Sequence, residues 1–334
     1  MKISILGSGT WGVALAVLLK NNGHDIWVWS AIPEEVEALR GGKRHPNLPD
    51  TPLPDGIGYT CDMEESLAGA ELVIFVVPSR FMRSTAEKAA PYIKEGMLIA
   101  TASKGIEPES HMTMTEIIAD VLEPRTPGLE YLALSGPTHA EEVAVGMPTA
   151  IVCACENEET AYRVAEIFSN TCLRAYTNTD VRGVEICGAL KNIIAMAAGI
   201  NRGMGFGDNS CAMLITRGIS EMARMGLAMG CKRRTFMGLA GIGDLVVTAT
   251  SVHSRNNRCG ELIGKGYTYD EAAREIGMVV EGYHALKAAM ELSEKYSVEL
   301  PITFGVDRVI HGGVSPYVVI RELMLRDVKD ELKI

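Results

Sequence analysis

The sequence predicts an α/β domain built on a doubly wound parallel sheet, followed by a mainly α-helical domain. Two observations predict this arrangement. Short apolar runs alternate with helical patterns up to about residue 178, which is typical of a parallel sheet covered by helices on both faces. From about residue 180 onward the apolar residues recur at helical spacing, and almost no strand pattern is left. We therefore place the domains at residues 1–180 and 181–334.

The chain begins with a short apolar run, residues 2–6, that has the pattern of a buried strand. Gly7, Gly9 and Gly12 follow at G-x-G-x-x-G spacing, and an apolar helical pattern runs on to about residue 19. In this strand–turn–helix context the three glycines are the fingerprint of a dinucleotide-binding (Rossmann) fold. The first glycine would permit the tight turn, the second the close approach of the pyrophosphate, and the third the packing of helix on strand.

The remaining elements of the first domain continue the alternation. Strands are predicted at residues 25–29, 57–60, 71–78, 97–102, 131–134, 149–155 and 173–176. Helices are predicted at 33–39, 79–90, 113–122 and 158–168, and Asp62 is placed to cap a further short helix. In the second domain helices are predicted at 184–200, 209–225, 268–276, 282–296, 302–310 and 316–326.

The composition excludes several classes of protein. The 334 residues, 47% hydrophobic and 22% charged, are typical of a soluble protein with two cores. A net charge of −10 without a basic stripe argues against nucleic acid and anionic membranes as partners. No apolar run approaches the ~18–20 residues of a membrane span. The 8 scattered cysteines show no metal-ligand spacing, and they indicate reduced thiols in the cytoplasm.

Two polar clusters follow strands of the first domain. Lys104 stands at the carboxyl end of a strand, at the edge where ligands of open α/β sheets bind, although a lone lysine there is more often a surface residue. Residues 134–143 follow another strand and have the pattern of a turn and a helix capped by Thr138, with Glu141 at the third helical position. That structure is compatible with a ligand site. We interpret His139 as a packing or hydrogen-bonding residue, since nothing in the sequence gives it a carboxylate partner.

The helix predicted at 184–200 carries one strongly polar pair, Lys191 and Asn192. A lysine in such apolar surroundings either extends its ammonium group to water or lies desolvated beside an acid. Desolvation and nearby cations would lower its pKa and make it a usable proton donor or acceptor.

A glycine-rich apolar stretch, residues 238–248, contains Asp244, and a buried aspartate needs a cation or several hydrogen-bond donors. Residues 254–256, Ser-Arg-Asn, follow at the predicted start of a helix. Arg255 offers a planar fork of donors and the helix start adds backbone N–H groups, which together can bind a phosphate. An exposed basic turn is the alternative.

Taken in this order, the motifs resemble the NAD(P)-dependent glycerol-3-phosphate dehydrogenases of the bacterial biosynthetic type. The resemblance runs nearly end to end. The matching stretches are GSGTWG (7–12), SKG (103–105), SGPTHAEE (135–142), LKN (190–192), GIGDL (241–245), SRN (254–256) and VVEG (279–282).

The resemblance implies a role for each matching residue. Lys191 corresponds to the general acid that protonates the carbonyl oxygen of dihydroxyacetone phosphate, Asp244 to the acid near it, and Lys104 to a lysine that touches both substrate and cofactor. The further implied substrate contacts are Gly136, Thr138, Thr248, Ser254, Arg255 and Asn256. The candidate cofactor contacts are Gly7, Gly9, Thr10, Trp11, Gly12, Ser30, His45, Lys104, Ala140, Arg255, Val279 and Glu281. No metal is implied.

The sequence departs from the family pattern after the second strand. Family members often read Trp-x-Arg there, and the arginine binds the 2′-phosphate of NADP, whereas here Trp29 is followed by Ser30-Ala31-Ile32. No acidic residue stands at this point either, so the usual NAD signature is also missing. Lys43, Arg44 or His45 could reach a 2′-phosphate from the following loop. The cofactor, NAD or NADP, is therefore open.

The resemblance implies reversible hydride transfer between NAD(P)H and dihydroxyacetone phosphate to give sn-glycerol 3-phosphate, for glycerophospholipid synthesis, in a cytoplasmic enzyme that could be a homodimer. Two alternatives stay open. An NAD(P)-dependent β-hydroxyacid dehydrogenase of the same architecture would need a carboxylate site in place of residues 254–256. A non-catalytic dinucleotide-sensing protein is disfavoured by the presence of both Lys191 and Asp244.

Overall fold

The computed structural model describes residues 1–170, 172–328 and 330–331. They divide into two compact units, one of residues 1–104 with 112–181 and one of residues 105–111 with residue 182 onward. The division at 181/182 lies beside the expected boundary, but residues 105–111 group with the helical unit. In that unit the carboxylate of Glu291 accepts a hydrogen bond from the N–H of Glu109 at 3.2 Å and is bonded to His111 Nε2 at 3.0 Å. These polar contacts leave no periodic signal in the sequence.

The first unit is built on eight strands. They are β1 (Lys2–Leu6), β2 (Asp25–Trp29), β3 (Gly58–Thr60), β4 (Leu72–Phe75), β5 (Leu98–Thr101), β6 (Glu130–Ser135), β7 (Thr149–Ala154) and β8 (Leu173–Asn178). Their order in the sheet is β3-β2-β1-β4-β5-β6-β7-β8. The ladders are parallel except that of β6 with β7. The direction of winding reverses at β1, so the doubly wound sheet that the sequence predicts is confirmed.

Helices cover both faces of this sheet. They are α1 (Thr10–Asn21), α2 (Pro33–Arg40), α3 (Met63–Leu67), α4 (Met82–Ala89), α5 (Met114–Leu122), α6 (Ala140–Ala144) and α7 (Glu158–Phe168). Strand β4 shows why two layers form, because every one of its residues is buried. Leu72 and Ile74 pack into one hydrophobic core, and Val73 and Phe75 into the other, as alternate residues of a strand face opposite sides.

Two predicted helix caps have different outcomes. The side chain of Asp62 accepts hydrogen bonds from the N–H groups of Glu64 and Glu65, so it caps α3 as expected. The prediction that Thr138 caps α6 is wrong, because the helix begins only at Ala140 and His139 occupies the cap position without a side-chain bond. The Thr138 hydroxyl instead donates to the carbonyl of Gly136 at 3.2 Å.

The second unit is helical, as the sequence predicts. Its helices are α8 (Val181–Gly203), α9 (Asp208–Ala228), α10 (Arg233–Phe236), α11 (Asp244–Thr250), α12 (Arg255–Gly264), α13 (Tyr269–Ile276), α14 (Glu281–Tyr296), α15 (Pro301–Ile310) and α16 (Pro316–Met324). A π-helical turn, Leu239–Gly243, leads into α11. Helix α8 is long and apolar enough to cross a membrane, with a mean hydropathy of 1.4, but its apolar window is 100% buried. It is the central core helix of this unit.

Helices α8 and α12 approach each other through glycines on both sides. Gly199 and Gly203 lie one turn apart on α8, and Gly260 and Gly264 lie one turn apart on α12. A Cβ atom built on any of the four would lie 2.0–2.3 Å from a backbone carbonyl oxygen of the facing helix. The two backbones are therefore in direct contact, and neither can rotate away as a side chain would.

We expect Gly260→Ala to lower the free energy of unfolding by about 3 kcal/mol, the upper end of the usual cost of overpacking, because the new methyl group meets backbone. Urea unfolding of the intact protein measures this. The matched control is Gly243→Ala, since Gly243 has helical dihedral angles and its Cβ would meet its first neighbour at an ordinary 3.6 Å. Equal losses in the two variants would contradict the close packing of α8 and α12.

Candidate active site

The glycine loop after β1 has the geometry expected of a pyrophosphate site. Gly7 has φ +130°, and a Cβ there would lie 2.4 Å from the carbonyl oxygen of Val76. A Cβ on Gly12 would lie 2.0 Å from the carbonyl oxygen of Gly7. At Gly9, by contrast, a Cβ would meet no atom of the described residues within 4 Å. Two glycines thus serve the turn and the packing, and the third faces open space that a ligand can occupy.

The start of α1 adds to this fit. Its N-cap residue is Gly9, so no side chain caps the helix, and the first turn contains no acidic residue. The first N–H groups of a helix have no intrahelical partner and attract an anion. Thr10 and Trp11 lie in this first turn, and the Thr10 hydroxyl accepts a hydrogen bond from the side-chain amide of Asn47 at 3.0 Å. These residues fit the pyrophosphate of a dinucleotide.

Next to the loop, beyond the end of β2, lies a carboxylate that the sequence reading missed. The hydroxyl of Ser30, which is 4% exposed, donates to Oε2 of Glu35 at 2.8 Å. The hydroxyl of Ser8 donates to the same oxygen. No acid follows Trp29 directly in the sequence, but Glu35 reaches back to Ser30 from the first turn of α2. The signal was present only as a glutamate five residues further along the chain.

His45, the other candidate at this end, lies in the loop after α2. Its Nδ1 accepts a hydrogen bond from the N–H of Asn47 at 3.1 Å. Burial lowers the pKa of His45, while the charges of Glu35 and Glu141 oppose that shift. Since an accepting Nδ1 carries no proton, the imidazole that makes this bond is neutral.

The other candidates of the first unit also follow strands. Lys104 comes shortly after β5, and Gly136, with φ +135°, directly follows β6. Ala140 is the first residue of α6. Strands β2, β1, β4, β5 and β6 are joined by parallel ladders, so their carboxyl ends share one edge of the sheet. The structure therefore brings the glycine loop, Ser30, Lys104 and Gly136 to the same edge.

In the helical unit, Lys191 of α8 is buried beside two partners from α11. Its Nζ donates to Oδ1 of Asp244 at 2.5 Å and to Oγ1 of Thr248 at 2.6 Å. The Lys191 side chain is 6% exposed and that of Asp244 is 2% exposed. Of the two alternatives for this lysine, the structure therefore has the desolvated ammonium beside an acid.

Thr248 completes a small polar network around this pair. Its hydroxyl donates to the backbone carbonyl of Asp244 at 2.6 Å, one turn earlier on α11. That bond directs the lone pairs of Oγ1 toward Lys191. The ammonium group is thus held from two directions, and α11 supplies both acceptors.

The side chain of Asn256 connects three helices. Its Nδ2 donates to Oδ1 of Asn192 on α8 at 3.0 Å, and its Oδ1 accepts from the N–H of Gly282 on α14 at 2.8 Å. Val279 and Glu281, both candidate cofactor contacts, flank the start of α14 beside this bond. Asn256, an implied substrate contact, is therefore also a structural link.

Residues 254 and 255 form the start of α12 that the sequence predicts. The hydroxyl of Ser254 accepts a hydrogen bond from the N–H of Asn257 at 3.2 Å, so it caps the helix. The side chain of Arg255 is exposed, and within the described part of the chain it has no hydrogen bond or ion pair. A guanidinium group at an exposed helix N-terminus is suited to binding an anion.

Two residues that position this turn were missed from the sequence. Asn257 is 0% exposed, and its Nδ2 donates to the carbonyl of Ala249 on α11 at 2.7 Å. Its Oδ1 accepts from Arg202 of α8 at 3.0 Å. The only available signal was a second asparagine in Ser-Arg-Asn-Asn, which is not specific.

A separate cavity of about 540 Å³ lies elsewhere in the helical unit, and none of the predicted site residues line it. Glu221 lines it and accepts hydrogen bonds from the N–H groups of Ile302 and Thr303 at the start of α15. Burial raises the pKa of Glu221 to about 7, against the opposing effect of these N–H groups. Glu221 is thus a structural cap. Among the described residues no group of His, Cys, Asp and Glu is arranged to hold a metal ion.

The sheet topology, the glycine loop and the buried lysine pair are together typical of a two-domain nicotinamide-dependent dehydrogenase. Residues 2–161 match the N-terminal domain, and residues 180–321 the C-terminal domain, of NAD-dependent glycerol-3-phosphate dehydrogenase. The chain belongs to this family.

Relatives and solved structures agree with this membership. Glycerol-3-phosphate dehydrogenase (NAD(P)+) 2 of Lactobacillus delbrueckii subsp. bulgaricus is 51% identical over 99% of both chains. The glycerol-3-phosphate dehydrogenase (NAD(P)+) of Agathobacter rectalis is 46% identical over 99% of this chain and 97% of its own. The crystal structure of glycerol-3-phosphate dehydrogenase from Coxiella burnetii is 36% identical and superposes with a TM-score of 0.93 over 97% of this chain and 99% of that one.

We expect Asp244→Ala to lower the free energy of unfolding by about 3–5 kcal/mol, because it leaves the buried Lys191 ammonium without its counter-charge. Urea unfolding at constant pH measures this. The double variant Lys191→Met/Asp244→Ala is the control, since it removes both charges and should recover most of the loss. A double variant as unstable as the single one would show that the cost comes from packing alone.

Proposed function

We propose that the protein catalyses reversible hydride transfer between NAD(P)H and C2 of dihydroxyacetone phosphate, giving sn-glycerol 3-phosphate. The activities for which its relatives are named support this substrate and cofactor. The observation that carries the chemistry is the buried ammonium of Lys191, held by Asp244 and Thr248. We infer that the product serves glycerophospholipid synthesis.

Lys191 acts as the general acid. The bound nicotinamide supplies the hydride in the reducing direction. As C2 of the substrate is reduced, its oxygen gains negative charge, and Nζ of Lys191 donates a proton to that oxygen. Asp244 and Thr248 fix the direction of Nζ, and the same lysine as a neutral amine accepts the proton in the reverse direction. Lys104 contributes a second positive charge that stabilises the developing alkoxide.

The start of α12 binds the substrate phosphate. Arg255 supplies charged donors, and the N–H groups of the first turn add partial positive charge. Ser254 closes this turn by capping it, and Asn256 ties it to α8 and α14. Anchoring the phosphate orients C2 for reaction, which converts binding energy into positioning. Gly136 and Thr138 contribute further substrate contacts.

We further propose a cytoplasmic location and a homodimer. All 8 cysteines are free thiols, which agrees with a reducing compartment. Helix α16 and the residue after it expose large apolar side chains, Tyr317, Met324 and Leu325 at 62–73%. An apolar surface of this kind suits association with a second copy, and light scattering of the intact protein at micromolar concentration tests it.

We expect Lys191→Ala to lower kcat for dihydroxyacetone phosphate reduction by at least ~100-fold, the usual scale of proton-transfer catalysis. Steady-state kinetics measure this, with circular dichroism to check that the variant is folded. Lys265→Ala, which removes an exposed lysine paired with Glu261, should keep normal turnover. Near-normal kcat in Lys191→Ala would refute the assignment of the acid.

We expect Arg255→Ala to raise KM for dihydroxyacetone phosphate about 10- to 100-fold, the loss of a charge-assisted hydrogen bond, with little change in cofactor affinity. Arg258→Ala is the control, since Arg258 is an exposed arginine on the same helix. If Arg255→Ala weakened only cofactor binding, the phosphate would lie elsewhere. Unphosphorylated dihydroxyacetone should be equally poor with the variant and the parent enzyme.

A further inference from the structure

The carboxylate of Glu35 is fixed in place from two directions. Ser30, just beyond β2, and Ser8, inside the glycine loop, both donate a hydroxyl hydrogen bond to its Oε2. The Ser30 hydroxyl is itself oriented by the N–H of Ile32, from which it accepts a hydrogen bond at 3.2 Å. Glu35 is therefore not a mobile surface glutamate, since two chain segments, the glycine loop and residues 30–32, define where its charge lies.

This position has a known chemical meaning in dinucleotide-binding sheets. An acid beyond the second strand, about 20 residues after the glycine loop, accepts a hydrogen bond from the 2′-hydroxyl of the adenosine ribose. Glu35 satisfies that description in space, although the residue at the end of the strand itself is Ser30. With Oε2 taken by the two serines, Oε1 of Glu35 has no hydrogen-bond donor among the described residues. It is an acceptor available to a ligand.

Among the described residues no basic side chain forms an ion pair with Glu35, so its negative charge is not neutralised by a salt bridge. The His45 ring is neutral when its Nδ1 accepts from Asn47. Arg44 directs Nη1 to the carbonyl oxygen of Pro49 at 2.5 Å. A 2′-phosphate near Glu35 would place like charges together, which is unfavourable.

We propose that Glu35, held by Ser8 and Ser30, selects NAD(H) over NADP(H) by accepting a hydrogen bond from the adenosine ribose and repelling a 2′-phosphate. The inference rests on the proposed function only in requiring a nicotinamide dinucleotide as cofactor. In sequences of the family that have an arginine after the second strand, that arginine favours NADP by binding its 2′-phosphate. Here we assign the selection of the cofactor to an acid of α2, which favours NAD instead.

Binding measured without substrate tests the proposal. Titration of the intact protein with NADH and with NADPH, followed by cofactor fluorescence, should give a dissociation constant at least about tenfold lower for NADH, the effect of one charge-assisted hydrogen bond. In Glu35→Gln this preference should fall about tenfold, mainly because NADPH binds more tightly. Glu34→Gln is the matched control, since Glu34 is an exposed glutamate on the same turn, and it should keep the preference.

Competition localises the effect. Adenosine 5′-monophosphate and adenosine 2′,5′-bisphosphate differ only by the 2′-phosphate, so their relative affinities should change in Glu35→Gln as those of NADH and NADPH do. Ser30→Ala removes one anchor of the carboxylate and should reduce the preference in the same direction. It also carries the test if Glu35→Gln binds neither dinucleotide.

The outcomes separate the two proposals. Tighter or equal binding of NADPH by the parent protein, or an unchanged preference in both Glu35→Gln and Ser30→Ala, would overturn the role of Glu35. A protein that shows the preference but does not reduce dihydroxyacetone phosphate would refute the proposed reaction and leave the role of Glu35 intact. A protein that reduces dihydroxyacetone phosphate equally well with either cofactor would refute the role of Glu35 and leave the proposed reaction intact.

Discussion

Direct backbone contact between α8 and α12 is the constraint on which the helical unit depends. Two glycines on each helix leave no Cβ between the two backbones at these points, so the position of one helix constrains that of the other. Helix α8 carries Lys191 and α12 begins at Arg255, so the contact fixes the distance between the proposed proton donor and the proposed phosphate-binding turn. Asn257 and Asn256 then set the rotation of the turn by hydrogen bonds to α8, α11 and α14.

Between these packed helices, burial of the Lys191–Asp244 ion pair costs desolvation free energy. Removing two charges from water is unfavourable, and their mutual attraction repays that cost only with good geometry and further hydrogen bonds. Thr248 supplies one such bond, and it does so because its own hydrogen is bound to the backbone of α11. An apolar pair of the same size would stabilise the unit as well or better. Stability alone therefore does not account for the pair, whereas the proposed role of Lys191 as proton donor does, since Asp244 and Thr248 fix the direction of its ammonium group.

Features set by periodicity could be predicted from the sequence, and features set by tertiary contact could not. Strand β2 and helix α7 fall at the predicted residues because their apolar spacing is local information. The segment 105–111 joins the helical unit through Glu291, which lies 180 residues from His111 and 182 from Glu109 in the chain. Likewise Lys191 and Asp244 could each be singled out as anomalous polar residues, but Arg202 and Asn257 could not, since neither is unusual for its element.

Glu35 shows most sharply where sequence reading fails. Directly after the second strand the sequence has Ser30, which is neither an arginine nor an acid. In the folded chain a charged group nevertheless lies at this end of the strand, because Glu35 is in the first turn of the helix that begins at Pro33. Ser30 is also the donor that fixes the Glu35 carboxylate. The residue that departs from the family pattern therefore belongs to the group that we propose selects the cofactor in place of the arginine. If this proposal holds, the cofactor preference depends on Ser8, Ser30 and Glu35 together, and the residue at one sequence position does not reveal it.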